Sequence, residues 1–223
     1  MPCVRTKRQR NEREKNTTTS HALTINLMMC VHSPRAKVIF SLRNPIDRAF
    51  SHYRMLHTRN QINTSNKSDF EDIIALDMKV LRIRNFTVAS NEPFPQVQTV
   101  KLQRLHQMWK VKNSLYRGMY SDQLKPWLKY FTVGKDIMVI RFERMLEDPH
   151  AVLDEILDFL KVPRHSYDPK LLNESYSPVV ATEKHLLKNT TRDYLLRFYE
   201  PYNNELAEML GEQWRGVWQH THY

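Results

Sequence analysis

The chain has 223 residues, of which 41% are hydrophobic, and this is enough apolar material for the core of one α/β domain or two small ones. With 4 Gly against 11 Pro, the composition excludes a collagen-like or glycine-rich low-complexity chain, and no apolar run reaches the about 18 residues of a membrane span. The 34 Lys and Arg residues exceed the 24 Asp and Glu residues, which favours an anionic partner such as a nucleotide, an acidic sugar or a nucleic acid.

Residues 1–33 show neither helical nor strand periodicity over a useful length, and we predict a basic, poorly structured arm there. Residues 1–15 hold six Lys and Arg residues against two Glu residues, so 6 − 2 = +4 of the net charge of +10 lies in this arm. Such an arm is typical of a solvated tail, and nuclear targeting or phosphate binding is the alternative interpretation.

The first clear element is a strand over residues 37–43, where β-branched and aromatic residues form a short apolar run. Asn44 and Pro45 follow at once. Asn44 is a good N-cap, and Pro45 suits the first helical position because its missing N–H has no partner there in any case. The sequence therefore predicts a helix from Pro45 whose apolar residues recur at helical spacing: Ile46, Ala49, Phe50, Tyr53 and Leu56.

Further periodic segments follow along the chain. Helices are predicted over residues 70–83 and near residues 97–110, and Ser121 is expected to cap another helix. Residues 136–143 form a second apolar run between a glycine and a charged turn, which is typical of a buried parallel strand.

Asp148 and Pro149 repeat the cap-and-first-residue signal and predict a helix that ends before the next proline. Thr190 or Thr191 is expected to cap a last helix that ends at Gly211. The strand–helix unit thus occurs twice, and the predicted fold class is α/β with a parallel sheet.

The cysteines and the glycosylation sequons bear on the compartment. Cys3 and Cys30 lack metal-ligand spacing and leave the redox environment open. Six Asn-x-Ser/Thr sequons are present, against about 1.6 expected by chance from 14 Asn and 26 Ser and Thr residues, which favours a secretory-pathway protein. Asn-rich loops that generate sequons incidentally are the alternative, and a missing N-terminal segment would explain why no signal peptide is seen. The six sequons are Asn16, Asn63, Asn66, Asn85, Asn173 and Asn189.

The turn between the first strand and its helix has the form of a phosphate site. A helix N-terminus supplies free N–H groups and a partial positive charge, and Arg43 supplies a forked donor at the end of the strand. Ser51, two turns into the helix, can direct its hydroxyl to the same anion. The alternative is that Arg43 is a surface ion-pair partner and Ser51 an ordinary helix residue.

The segment KVIFSLRNPIDRAFSHY, residues 37–53, resembles the 3′-phosphate-binding segment of sulfotransferases that use 3′-phosphoadenosine 5′-phosphosulfate (PAPS). The likeness is to the carbohydrate members, such as heparan sulfate and N-acetylgalactosamine sulfotransferases. Three later segments resemble the same family in the same order, over residues 116–131, 136–162 and 191–211. The resemblance covers residues 34–214, which we take as the domain, and leaves residues 215–223 as a tail.

The resemblance implies a P-loop-like α/β fold, with a parallel sheet flanked by helices, and PAPS as the donor. By the family's pattern, Arg43 and Ser51 bind the 3′-phosphate, and Lys184 is the nearest basic residue to the loop that closes over the donor. The N-terminal strand and the phosphosulfate loop are expected to be missing, and no residue is assigned as the catalytic base. No metal is expected, because His52 and His57 lie five residues apart rather than at the four-residue spacing of a helical metal pair, and both are expected to be exposed.

The primary hypothesis is therefore an enzyme that transfers a sulfonate group from PAPS to a hydroxyl, or less favourably an amine, of a carbohydrate. The acceptor is expected to be an anionic polysaccharide in the Golgi lumen, and a type II membrane anchor is expected only in a missing N-terminal part. Arg117 and Lys125 are further basic positions near the acceptor stretch. Within this hypothesis the chain can also be an inactive fragment of such an enzyme. A non-catalytic nucleotide-binding or interaction protein is one alternative. A basic nucleic-acid-binding module is the other, although no nucleic-acid-binding motif is present.

Overall fold

The computed structural model describes residues 29, 32–33, 35–58, 70–83, 114–168 and 187–219. In chain order the described elements are β1 (Val38–Leu42), α1 (Pro45–Thr58), α2 (Phe70–Ile83), α3 (Tyr120–Leu128), β2 (Ile137–Arg141), α4 (Phe142–Glu147), α5 (Pro149–Leu160) and α6 (Asn189–Leu210), with 3-10 turns at Tyr116–Gly118 and Glu212–Trp214. The chain divides into two compact units. The sheet unit lies within residues 1–42 and 122–176, and the helical unit lies within residues 43–121 and 177–223.

The sheet unit is built on β1 and β2, which pair in parallel with Val38 opposite Ile137 and Leu42 opposite Arg141. Both predicted strands and their parallel arrangement are confirmed. The strand predicted over residues 136–143 is shorter than expected, because its last two residues begin α4. Helices α4 and α5 both contact β2, so helices cover the sheet within this unit.

Aromatic side chains hold the sheet unit together. Phe131 and Ile137 are its buried centre. The Phe40 ring meets the Trp127 ring edge to face, with 5.4 Å between centroids, the arrangement that aromatic quadrupoles favour. The Lys37 ammonium lies 4.6 Å from the centre of the Phe159 ring and makes a cation–π contact between β1's start and α5.

The start of α5 follows the sequence prediction. The Asp148 carboxylate accepts a hydrogen bond of 3.0 Å from the Ala151 backbone N–H, and Pro149 occupies the first helical position. The helix ends at Leu160, where Lys161 adopts a left-handed backbone with φ 60° and closes the last turn. An N-cap such as Asp148 stabilises a helix by about 1 kcal/mol.

The helical unit has the larger buried core. Helix α1 supplies the predicted apolar stripe, α2 packs beside it, and α6 closes the core with two adjacent aromatic residues. The buried side chains include Ile46, Ala49, Tyr53 and Leu56 from α1, Ile73, Ile74 and Leu81 from α2, and Leu195, Phe198 and Tyr199 from α6. Their spacing is that of amphipathic helices, as the sequence indicates.

Two predicted caps are wrong, and Ser121 and Thr191 are both buried. Helix α3 begins at Tyr120, so Ser121 lies inside its first turn with a fully buried side chain instead of capping it. Helix α6 begins at Asn189 and has no side-chain cap. The Thr191 hydroxyl instead donates to the Glu71 carboxylate of α2 at 2.7 Å, so it is engaged between helices. The helix predicted near residues 97–110 lies outside the described residues.

The C-terminal part of the helical unit carries two buried indole rings. Trp214 and Trp218 are both buried, and their rings meet with centroids 5.9 Å apart. In the part of the chain that the structure describes, no helix has the length and apolar character needed to cross a bilayer.

Gly118 is the tightest position in the helical unit. A Cβ at this residue would lie 2.8 Å from the Pro45 side chain and 2.8 Å from the Tyr199 ring. We expect Gly118→Ala to lower the free energy of unfolding by about 2–3 kcal/mol, because neither neighbour has room to retreat in a packed core. Chemical denaturation of the two proteins measures this difference.

Gly134→Ala is the comparison variant. Gly134 has a left-handed backbone with φ 80°, but a Cβ there meets nothing within 4 Å. Its cost should therefore be limited to about 1 kcal/mol of backbone strain. Equal costs at the two glycines would contradict the steric explanation for Gly118.

Candidate functional site

The candidate site lies where the chain leaves β1 and enters α1. Asn44 is fully buried, and its side-chain oxygen accepts hydrogen bonds from the backbone N–H groups of Ile46 at 2.9 Å and Asp47 at 3.4 Å. The Asn44 carbonyl accepts from the Arg48 N–H at 2.9 Å. This confirms Asn44 as the N-cap of α1.

The same cap changes the expectation for anion binding. Pro45 has no N–H, and the next three backbone donors of α1 already have Asn44 oxygens as partners. The free N–H groups expected at this helix N-terminus are therefore occupied. An anion at this site must be held mainly by side chains.

Arg43 is the first of these side chains. It is half-buried, and its backbone carbonyl accepts a hydrogen bond of 2.8 Å from the Tyr120 hydroxyl. Asn44, the next residue, is fixed by its cap. The Tyr120 hydroxyl and the Asn44 cap thus hold the backbone at Arg43. They fix the position from which the Arg43 side chain extends.

Ser51 lies on the solvent side of α1. It is exposed, and it is about 140° around the helix from the buried Ile46, since each residue turns the helix by about 100°. Along the axis it lies about 9 Å from Pro45. The structure places Arg43 just before α1 and Ser51 on the exposed face of the same helix, within one unit. Their assignment to one phosphate stays a prediction.

Two ion pairs join the start of α6 to α1 and α2. Arg192 of α6 pairs with the Asp47 carboxylate at 2.8 Å, and both side chains are largely buried. Lys188 pairs with Glu71 at 3.4 Å. Asp47 is the acidic residue of the first turn of α1, where the helix dipole favours a negative charge, and Arg192 neutralises it. The negative charge of Asp47, four residues after Arg43, is therefore neutralised by Arg192.

Three other basic positions from the sequence have different outcomes. Lys184 lies outside the described residues, so its assignment to the donor site stays a prediction. Lys125 is exposed and pairs with Asp122 at 3.1 Å on α3. Arg117 lies in the 3-10 turn Tyr116–Gly118, next to the polar cluster that we describe now.

The polar cluster around residue 114 was not foreseen from the sequence. The ring Nδ1 of His52 lies 3.0 Å from the Ser114 hydroxyl, and Arg48 donates to the Ser114 carbonyl. Burial, with Arg117 and Arg48 nearby, lowers the pKa of His52 to about 4, so its ring is neutral at physiological pH. The expectation that His52 is exposed is wrong, because its ring packs into this contact. The one available signal was that Arg48 and His52 are four residues apart on one helix face.

Buried polar groups also fix the backbone at residue 115. The Leu115 N–H donates to the Asp77 carboxylate at 3.1 Å, and the Leu115 carbonyl accepts from the Tyr199 hydroxyl at 3.1 Å. Burial raises the pKa of Tyr199, so its hydroxyl remains a donor. Side chains from three helices therefore satisfy the backbone of residues 114–115, which lead into the turn before Tyr120.

A metal centre finds no support among the described residues, where no group of three His, Cys, Asp or Glu side chains converges. The chemistry available at the candidate site is that of the Arg43 guanidinium and the Ser51 hydroxyl. Such groups bind an oxyanion through charge-assisted hydrogen bonds.

A family model described as Sulfotransferase domain matches residues 3–205 of this chain. The chain belongs to the sulfotransferase domain family. The match begins inside the segment predicted as an arm and ends within α6, so the domain limits 34–214 and the boundaries of the arm and tail stay predictions.

Curated relatives of this sulfotransferase-family chain act on heparan sulfate, by their names. The bifunctional heparan sulfate N-deacetylase/N-sulfotransferase 4 of Mus musculus is 26% identical over 194 residues, which are 79% of this chain and 19% of that protein. The heparan sulfate glucosamine 3-O-sulfotransferase 3B1 of Mus musculus is 24% identical over 162 residues, 73% of this chain and 30% of that protein. The chain thus spans between 19% and 30% of the length of these two relatives.

A solved structure agrees in fold. The crystal structure of a sulfotransferase from Alicyclobacillus acidocaldarius matches with a TM-score of 0.56 and 23% identity, over 85% of this chain and 62% of that one. Together with the family match, it confirms the predicted α/β sulfotransferase fold, with a parallel sheet flanked by helices.

The polar cluster predicts a pH-dependent stability. The pKa of His52 is about 4 in the folded protein against 6.5 for the free side chain, so the unfolded chain binds more protons between these values. The free energy of unfolding should therefore fall as pH drops from about 6.5 to about 4. We expect a loss on the order of 1 kcal/mol, because water partly screens the half-buried ring.

Denaturant titrations of the parent protein and His52→Gln at several pH values between 6.5 and 4 test this dependence. The variant has no ionisable ring at position 52. In His52→Gln, the free energy of unfolding should fall less steeply with decreasing pH than in the parent protein. His150→Gln, at an exposed position on α5, serves as the control and should keep the slope. A slope in His52→Gln equal to that of the parent protein would refute the assignment.

Proposed function

We propose that this chain is the donor-binding part of a PAPS-dependent carbohydrate sulfotransferase, in which Arg43 and Ser51 bind the 3′-phosphate of the donor. The observation that carries the proposal is the placement of these two side chains at the start and on the open face of α1, within a chain of the sulfotransferase domain family. Lys184, which precedes α6 in the sequence, is a third proposed contact.

The described residues fit the group that they are proposed to bind. A 3′-phosphate is a compact dianion, and a guanidinium can pair with two of its oxygens at once. The Ser51 hydroxyl adds one donor on the exposed face of α1. Since the helix N–H groups are occupied by Asn44, affinity for the phosphate should depend on these side chains more steeply than at a site with free N–H groups.

The proposed reaction moves one sulfonate group. An acceptor oxygen or nitrogen attacks the donor sulfur, the bond between sulfur and the 5′-phosphate oxygen breaks, and the acceptor proton passes to a base. The products are the sulfated acceptor, adenosine 3′,5′-bisphosphate and a proton. Binding the 3′ end fixes the nucleotide so that its sulfur is held in one place, and such positioning is a major part of catalysis in group transfer.

The proposed acceptor is a polysaccharide. Two relatives carry heparan sulfate in their names, and the net charge of +10 would attract an anionic glycan over a distance. Transfer to a hydroxyl and transfer to an amine are both represented among these relatives, as an O-sulfotransferase and an N-sulfotransferase. The preferred acceptor in this proposal is a glycan hydroxyl.

The proposed site of action is the Golgi lumen. The excess of glycosylation sequons supports a luminal protein, and Asn189, the sequon asparagine at the start of α6, is exposed. One relative, from Dictyostelium discoideum, is named a membrane-associated sulfotransferase. A luminal sulfotransferase would meet glycans during their assembly.

Replacing Arg43 tests the donor site. Arg43→Ala should weaken the binding of adenosine 3′,5′-bisphosphate about 10- to 100-fold, since a charge-assisted pair to a phosphate contributes about 1.5–3 kcal/mol. Ser51→Ala should weaken it by less, about 3- to 10-fold. Isothermal titration calorimetry measures both affinities, and thermal unfolding verifies that each variant is folded.

Arg82→Ala is the matched control, because Arg82 is an exposed arginine on α2 of the same unit. Its affinity should equal that of the parent protein. Equal affinity in Arg43→Ala and Arg82→Ala would remove Arg43 from the site. Salt-dependent binding to random DNA without affinity for the bisphosphate would favour the nucleic-acid-binding alternative.

Tyr120 gives a second, independent test of the site's geometry. Tyr120→Phe removes the hydroxyl that donates to the Arg43 carbonyl but keeps the ring. We expect bisphosphate affinity to fall about 3- to 10-fold, because the backbone that presents the guanidinium loses a hydrogen bond worth about 1 kcal/mol. Tyr130→Phe, in the sheet unit, is the control. If Tyr120→Phe bound the bisphosphate as tightly as Tyr130→Phe, the contact would have no role in positioning Arg43.

A further inference from the structure

A cleft of about 290 Å³ opens beside the second half of α6 in the helical unit. Helix α6 forms one wall, and the chain that follows it forms the other. The side chains that the following argument uses are Arg197, Glu200, Asn203 and Asn204 on α6, and Trp218 and Gln219 on the opposite wall. We call this feature the C-terminal cleft.

The wall opposite α6 is fixed by glycines and indole rings. Gly211 and Gly216 have left-handed backbones, with φ 105° and 69°, and turn the chain back along the helix. Trp214 and Trp218 pack edge to face with centroids 5.9 Å apart, and both are buried. A packed segment therefore forms this wall of the cleft. Its apolar part consists of the buried indole rings of Trp214 and Trp218.

The polar lining of the C-terminal cleft matches the chemistry of sugar hydroxyls. Asn203, Asn204 and Gln219 each present an amide with two donors and an acceptor. Arg197 adds donors, Glu200 adds acceptors, and their charges cancel. A phosphate would require an excess of cations, and an apolar ligand would leave these amides without partners, whereas a pyranose offers both donors and acceptors around an apolar ring face.

The cleft adjoins the proposed donor site through one side chain. The Trp218 ring packs against the Tyr120 ring with centroids 5.8 Å apart, and the Tyr120 hydroxyl binds the Arg43 carbonyl at 2.8 Å. The family match ends at residue 205, so the wall that contains Trp214 and Trp218 lies beyond the matched residues. A volume of about 290 Å³ is just below the range of drug-sized ligand sites, about 300–1,000 Å³, and suits one sugar ring rather than a nucleotide.

We propose that the C-terminal cleft is a saccharide subsite, which binds one unit of the acceptor glycan away from the unit that receives the sulfonate. The assignment of the ligand as the acceptor rests on the proposed function. The saccharide chemistry itself rests on the lining of the cleft alone. The subsite would extend acceptor recognition beyond the reacting sugar.

Direct binding tests the subsite. The probe is an unsulfated tetrasaccharide of alternating glucosamine and uronic acid, titrated calorimetrically into the parent protein, Asn203→Ala/Asn204→Ala and Glu208→Ala. The double variant should bind the tetrasaccharide at least 5-fold more weakly and bind adenosine 3′,5′-bisphosphate unchanged. Glu208→Ala, at an exposed position on the same helix outside the cleft, should match the parent protein in both titrations.

Gln219→Ala guards against a folding artefact, because Gln219 is exposed and lies on the opposite wall. It should also weaken tetrasaccharide binding without lowering the melting temperature. No binding to the parent protein, or equal binding in the parent, double and Gln219→Ala proteins, would overturn the subsite. Tetrasaccharide binding that depends on the cleft, in a protein with no affinity for the bisphosphate, would support the subsite while refuting the donor proposal.

Discussion

The segment from Ser114 to Tyr120, which contains the 3-10 turn Tyr116–Gly118, is the constraint on which the helical unit depends. Asp77 and Tyr199 bind the two backbone polar groups of Leu115, Arg48 binds the carbonyl of Ser114, and Tyr120 then reaches the carbonyl of Arg43. Buried backbone groups without partners are costly, so these side chains both allow the turn to be buried and fix its position. The candidate donor site inherits its geometry from that turn.

Asn44 explains why the site relies on side chains. By taking the first N–H groups of α1 it stabilises the helix start, but it also removes the donors that a phosphate would otherwise use. Stability of the helix and strength of anion binding therefore compete at one residue. In the proposed donor site, specificity would come from Arg43, because a guanidinium fork matches the oxygens of a phosphate.

Local signals predicted the elements well, and contacts distant in sequence explain the failures. The Asn44–Pro45 and Asp148–Pro149 pairs mark helix starts because a cap acts within three residues. Thr191 failed as a cap because its hydroxyl meets Glu71, 120 positions away, and no local pattern contains that contact. The positions of Arg43 and Ser51 relative to α1 could be predicted from the local sequence of that helix. The contacts of Ser114 with His52 and of Trp218 with Tyr120 join residues distant in sequence and could be seen only in the folded structure.

The contact between Thr191 and Glu71 has a consequence for the order of events during biosynthesis. Thr191 is the hydroxyl residue of the Asn189 sequon, and in the folded protein it is 4% exposed and bonded to another helix. A glycosylating enzyme must bind both the asparagine and the hydroxyl residue of a sequon, so both must be accessible in an unfolded segment. Any glycan on Asn189 would therefore have to be attached before α6 docks on α2, and afterwards the exposed asparagine could hold it without disturbing the core.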